Sequence, residues 1–349
     1  MKAIKLFLTA AIFLFSLSAA RAEVFVLCYH SFLGKPRVQY DFNLQELRAQ
    51  LRQLKESGFR FVTYDDVLKG RVTGSRNIMV TIDDGNRSVY RAYWDVFRPM
   101  GIKPMLSIYP FIIGKKEYVL TWKQLKELSD DGCEIASHGY FHLKVNRDLY
   151  QKKPRDFRQE IYKSKKTLEE KLGKNVTVFI YPFGLWSDIT IQTLREAGYH
   201  HAFTIINGPV KTPISLNREP YQLKRYMLTR PLSKSTIRHI VQRAEKLENR
   251  IGRSRDDSDA RTGMNLLKTK ESTPPATGSD PGEAVKPALS KGETADSPLP
   301  GEGVFKKMWN QLSLETVRSY ETLIRLHRQR ADEYYQAVMA KKRKRHRSR

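Results

Sequence analysis

Apolar, β-rich runs alternate with amphipathic, charged segments between residues 23 and 248, and this alternation restricts the fold more than any other feature. Strands are expected at residues 24–29, 78–82, 105–109, 133–137, 176–181, 202–206 and 223–228. Helices are expected at 44–56, 88–100, 122–130, 155–172 and 188–197. The pattern argues for βα units around a parallel sheet. Its count and length fit an α/β barrel better than an open sheet. In barrels the residues that do chemistry sit at the carboxyl ends of strands. Four predicted strand ends carry polar or turn residues: Tyr29-His30, Asp83-Asp84, His138, and Tyr181-Pro182-Phe183-Gly184. That is the pattern of one assembled site.

The ends of the chain read differently. Lys2 and Lys5 precede an apolar run from Leu6 to Ala19, broken only by Thr9, Ser16 and Ser18. Ala20-Arg21-Ala22 follows as a small-x-small cleavage pattern. Residues 1–22 are therefore expected to be a secretory signal peptide, too short in its apolar part for a membrane span. The mature protein is expected outside the cytoplasm, in the periplasm or at the cell surface. Cys28 and Cys133 fall in predicted buried strands and are expected to be free thiols acting as small hydrophobes.

Residues 249–303 are expected to be a disordered linker. Six prolines lie between Pro274 and Pro300, and no aromatic residue occurs between Tyr226 and Phe305. Such a segment buries too little to offset its ordering entropy. Residues 304–349 are expected to form an amphipathic helix with a basic tail, for docking, self-association or a membrane surface. The formal charge is +25, and seven of the last nine residues are Lys or Arg. In a secreted chain this points to an anionic envelope surface rather than to nucleic acid.

Asp83-Asp84-Gly85 places two carboxylates at a strand end, with a glycine to turn the chain. One can ligate a metal while the other takes a proton from water. The same three residues also describe a solvated turn. His138 and His142, four residues apart, suit two ligands on one tight loop, or a surface pair. One Asp and two His leave a divalent ion an open position. Zinc is the default, with cobalt, nickel or iron as alternatives.

These motifs resemble those of the polysaccharide deacetylases, carbohydrate esterase family 4. Thr81-Ile82-Asp83-Asp84-Gly85 is similar to their Thr-Phe-Asp-Asp-Gly motif, and Ser137-His138-Gly139-Tyr140-Phe141-His142 to Ser-His-Ser/Thr-x-x-His. Phe179-Ile180-Tyr181-Pro182-Phe183-Gly184 resembles the third motif, and Leu27-Cys28-Tyr29-His30-Ser31 resembles the branch acting on poly-N-acetylglucosamine exopolysaccharide. The resemblance covers residues 25–228. It implies a distorted (β/α)7 barrel and metal-dependent removal of acetyl from N-acetylglucosamine units of an exopolysaccharide or envelope glycan. It assigns Asp84, His138 and His142 to the metal, Asp83 to the general base, and the Phe183 N–H to the oxyanion.

Three positions depart from the usual pattern. Ile180 stands where an Arg normally orients the catalytic Asp; Arg225, on the last strand, is the candidate to replace it. No late Leu-x-His motif follows the barrel, so the branch resembled implies His30 as the acid; His239 lies in a helix-like stretch. Gly139 replaces the Ser/Thr that braces the histidine loop, which bears on the loop's rigidity and not on ligation. Rival readings are a degenerate glycan-binding or scaffold barrel, and peptidoglycan or O-acetyl ester hydrolysis at the same site.

Overall fold

The structure, a computed structural model, describes residues 22–268, with side chains to residue 250. The expected signal peptide up to residue 21, the linker beyond 268, and the C-terminal helix and basic tail lie outside the described residues.

The core is a curled sheet. Strand β1 (Ala22–Tyr29) pairs in parallel with β3 (Asn77–Asp83), which also carries the two-residue β2 (Arg60–Phe61). From β3 the parallel sheet continues through β4 (Met105–Ile108), β5 (Glu134–Ser137), β6 (Val178–Ile180) and β7 (His201–Phe203). β8 (Val210–Thr212) runs antiparallel to the start of β1. Closure comes from the last expected strand, which divides its pairing. Leu223 bridges to Phe203 of β7, and β9 (Tyr226–Met227) pairs with Leu27 and Cys28 of β1. Seven parallel strands thus go round as β1, β3, β4, β5, β6, β7 and β9, a distorted (β/α)7 barrel.

Side chains alternate across each strand. On β1 and β3, Phe25, Leu27, Tyr29, Ile78, Val80 and Ile82 pack outward under the helices, whereas Val24, Val26 and Met79 belong to a second, inner cluster. Cys28, Thr81 and Asp83 continue the inner series at the carboxyl end. Cys133, by contrast, packs in the outer cluster. The two thiols are free and buried on opposite faces of the sheet.

Helices α1 (Leu44–Glu56) and α4 (Trp122–Asp130) occupy their expected bounds. Each starts with a reciprocal cap, Asn43 with Glu46 and Thr121 with Gln124, that satisfies orphan N–H groups. The other two long expected helices are broken by irregular turns. Residues 88–100 form α3 (Ser88–Ala92), a π turn (Tyr93–Phe97) and a 3-10 turn (Arg98–Met100). Pro99 has no N–H to continue the α-helical ladder, which explains the break. After α5 (Arg147–Lys152), the segment 154–172 runs as α6 (Pro154–Arg158), a π turn (Gln159–Lys163) and α7 (Ser164–Leu172). Two short helices, α2 (Tyr64–Leu68, before α3 in the chain) and α5, were not expected; α8 (Asp188–Glu196) was.

Helix α9 (Ser233–Lys268) follows the last strand of the barrel. Ile237, Ile240 and Ala244 are buried on the barrel, and Glu248 receives hydrogen bonds from Ser75 and Arg76. The helix continues past 248 into what was expected to be linker, because no proline occurs until Pro274. Among the described residues no helix is long and apolar enough to cross a membrane. Phe179, buried between Tyr181 and Tyr199, tests the outer core. Phe179→Ala is expected to cost about 3–5 kcal/mol, read from urea unfolding of parent and variant.

Candidate active site

The inward series of β3 ends on Asp83, which is 3% exposed. Alternation would send Asp84 to the opposite face. Instead Asp84 takes a left-handed backbone, φ 75°, followed by Gly85 at φ 74°, and the chain doubles back. Both carboxylates therefore reach the same pocket. Among the described residues the non-glycine residues with positive φ are Asp84, His142 and Phe183. Each had been singled out from sequence. Such a conformation costs on the order of 1–3 kcal/mol at a non-glycine residue and concentrates at functional sites.

Asp84, His138 and His142 converge. Asp84 Oδ1 lies 3.5 Å from His138 Nε2 and 3.3 Å from His142 Nε2, and the two Nε2 atoms are 3.2 Å apart. Ligand atoms roughly 2.0–2.1 Å from a tetrahedral ion stand roughly 3.3–3.4 Å from one another. The triangle therefore fits a divalent cation with one position left open. His138 Nδ1 is 2.8 Å from the carbonyl of Ile180. Donation to that oxygen puts the proton on Nδ1 and leaves Nε2 a lone pair for a metal. So residue 180, where an arginine was missed, contributes through its backbone.

Asp83 belongs to a different network. Arg225, fully buried, grips it with Nη1 to Oδ1 at 2.9 Å and Nη2 to Oδ2 at 3.0 Å. Nε of Arg225 donates to Thr204 O, and Nη1 also donates to Thr81 Oγ1, both at 2.9 Å. The geometry thus brings Arg225 to the carboxylate for which it was the candidate partner. Burial by itself would raise the Asp83 carboxyl; the charge of Arg225, helped by His138 and His30, outweighs it and holds Asp83 well below the usual carboxylate range. Cys28 had been read only as a small hydrophobe. Its thiol instead lies 3.4 Å from Asp83 Oδ2, as a donor, and burial keeps it protonated.

His30 lies at the rim, its ring 5.2 Å from that of Tyr40. One of its ring nitrogens lies within 4.8 Å of Cys28 Sγ and an Asp83 oxygen. Its buried Nδ1 has no hydrogen-bond partner among the described residues. Burial lowers its pKa, opposed by the charges of Asp84 and Asp83. The Phe183 ring centroid lies 4.6 Å from that of His142, and the Tyr109 ring centroid lies 5.0 Å from it. His239 is elsewhere, on α9 against Tyr226, and His201 pairs with Tyr64.

With Gly139 in place of a bracing Ser/Thr, the histidine loop finds its hydrogen bonds elsewhere. Glu160, fully buried, accepts hydrogen bonds from the N–H groups of Tyr140, Phe141 and Leu143. Burial pushes its carboxyl up to about 8, against the three N–H groups that favour the ionised form. Gly139, at φ 75°, is required beside it, since a Cβ there would meet Glu160 Oε2 at 2.2 Å. Sequence reasoning missed Glu160 because it reads as one more charged residue of an amphipathic helix.

Breaking the Asp83–Arg225 pair strands a buried charge. Arg225→Met is expected to lose about 3–5 kcal/mol of stability, and adding Asp83→Asn in the same chain should recover part of the loss. Urea unfolding of the parent, both single variants and the double variant checks this.

Comparison with known proteins places this geometry. The family model for polysaccharide deacetylase matches residues 70–202, which hold Asp83, Asp84, His138, His142 and Phe183. Arg225 and His30 fall outside the match. The Bacillus subtilis protein YxkH is 24% identical over 220 residues, covering 62% of this chain and 75% of its own. A poly-beta-1,6-N-acetyl-D-glucosamine N-deacetylase of Staphylococcus aureus is 22% identical over 216 residues, covering 58% and 72%. Among solved structures, IcaB from Ammonifex degensii superposes with a TM-score of 0.54 at 26% identity, covering 63% of this chain and 97% of that one. Motif order, barrel and clustered side chains agree with these matches, and residues 70–202 match the model of a polysaccharide deacetylase domain.

Proposed function

We propose that this protein is a secreted, metal-dependent N-deacetylase that removes acetyl groups from N-acetylglucosamine units of an exopolysaccharide or envelope glycan. The observation that carries the reading is the side-by-side arrangement of two acids with different partners. Asp84 faces two imidazole nitrogens at ligand spacing, while Asp83 faces a buried guanidinium. That division suits one carboxylate to ligation and the other to proton transfer. The named activity of the Staphylococcus aureus relative supports the choice of glycan.

Asp84, His138 and His142 would hold the ion, with zinc the first choice for one carboxylate and two imidazoles. Bound there, it would polarise the acetamide carbonyl and make water a better nucleophile. Asp83 would take the proton of the attacking water. Arg225 and the Cys28 thiol fix its carboxylate in one orientation and keep it ionised. The Phe183 N–H, set by its left-handed backbone, would donate to the oxyanion as negative charge develops. His30 would pass a proton to the departing amine; burial lowers its pKa, and the charges of Asp84 and Asp83 only partly oppose that.

Acetate release from N-acetylglucosamine oligomers by the zinc-loaded protein tests the reaction. Activity in the parent, with losses of about 10³-fold or more in Asp83→Asn and His138→Ala, is the expected result. No release from any N-acetylated glycan, with zinc still bound, would refute the proposal; release only from O-acetylated sugars would make it an esterase. For His30→Gln, kcat is expected to fall about 10²- to 10⁴-fold while zinc affinity, read by competitive titration, stays at the parent value.

A further inference from the structure

The loop carrying both histidines has no regular structure, yet it holds two Nε2 atoms 3.2 Å apart. Gly139 at φ 75° and His142 at φ 65° curl its backbone so that N–H groups converge on one point. Glu160 occupies that point. Phe141 N–H donates to Oε1 at 2.7 Å; Tyr140 and Leu143 N–H donate to Oε2 at 3.0 and 3.2 Å. A helical face delivers the carboxylate: Glu160 lies in the π turn Gln159–Lys163, buried with Ile161 three and four residues after the buried Phe157. In the next turn Ser164 donates to Gly139 O at 2.8 Å and shares a 2.6 Å hydrogen bond with Ser137 at the end of β5. The loop's donors and one of its carbonyls are thus held by a single helix.

We infer that Glu160 is a positioning residue that sets the metal affinity of the site by holding the His138–His142 loop in its ligating shape. This rests on reading Asp84, His138 and His142 as ligands. The physical basis is reciprocity. The curled loop needs an acceptor for three inward N–H groups, and the buried carboxyl needs those donors. Any departure of the loop strands both partners away from water, so other loop shapes are disfavoured and the imidazoles stay preorganised. Both oxygens act as acceptors whether or not the group carries a proton. A glutamine cannot replace it. Its NH₂ must face either the Phe141 N–H or the Tyr140 and Leu143 pair, donor against donor. Gly139 and Glu160 are also matched in space, because a Cβ at 139 and Oε2 would stand 2.2 Å apart. The same contact can therefore be disturbed from either side.

The test is zinc titration of the metal-free full chain against a chromophoric chelator, with thermal unfolding alongside. It compares the parent with Glu160→Gln, Gly139→Ala and the milder Ser164→Ala. Zinc Kd is expected to weaken about 10- to 100-fold in the first two and less in Ser164→Ala, with kcat returning toward the parent at saturating zinc. Unchanged zinc Kd with a lowered Tm would overturn the inference and leave Glu160 a structural brace. Should Glu160→Gln or Gly139→Ala fail to fold, unchanged Kd in Ser164→Ala and the remaining variant overturns it equally. A parent that binds zinc but releases no acetate would defeat the deacetylase reading and leave this inference standing.

Discussion

The buried pair of Arg225 and Asp83 is the interaction on which the rest of the molecule depends. A fully desolvated guanidinium is costly and is tolerated only when its donors are satisfied. Here four hydrogen bonds reach Asp83, Thr81 and the carbonyl of Thr204. Those partners lie on β3 and just beyond β7, and Arg225 itself precedes β9. One side chain therefore ties together three parts of the barrel wall where the closing strand is weakest. The same contact fixes the carboxylate proposed to move the proton. Closure of the fold and orientation of the base are one event.

Around that pair the site is strained. Asp84, His142 and Phe183 hold left-handed backbones that a free peptide would leave. The apolar barrel behind them supplies the compensation, since a loop cannot relax when its ends are fixed in closely packed strands. Each strained residue sits just past a strand: Asp84 after β3, His142 five residues after β5, Phe183 three after β6. Short tethers limit what the loops can do, and the histidine loop, the longest of the three, is the one with an added clamp in Glu160.

Much of this was legible in the residues themselves. Two helices occupy their expected bounds because local signals define both ends: a cap at Asn43 or Thr121, a leucine stripe, and a polar stop. The Asp-Asp-Gly turn and the paired histidines were legible because few other residues can do that work at strand ends. What escaped was non-local or out of phase. β8 consists of three residues held by pairing with the start of β1, and no three-residue pattern announces that. The π turns were invisible because helical periodicity assumes a constant turn, and Glu160 passed for one more charged residue of an amphipathic helix. Arg225 could be named as a candidate, but its lysine- and arginine-rich surroundings carry no sign that this one cation is buried.

The distance in sequence between Arg225 and Asp83, 142 residues, has a consequence in time. A chain emerging amino-terminus first presents Asp83, Asp84, His138 and His142 long before Arg225. Until the last strand arrives, β1 and β7 have open edges and the acid on β3 has no counter-charge. The buried ion pair is therefore a late product of synthesis: a truncated or half-emerged chain holds every proposed ligand of the site and still lacks the cation that fixes the proposed base. The order of the sequence thus withholds the proposed reaction until the whole barrel is present.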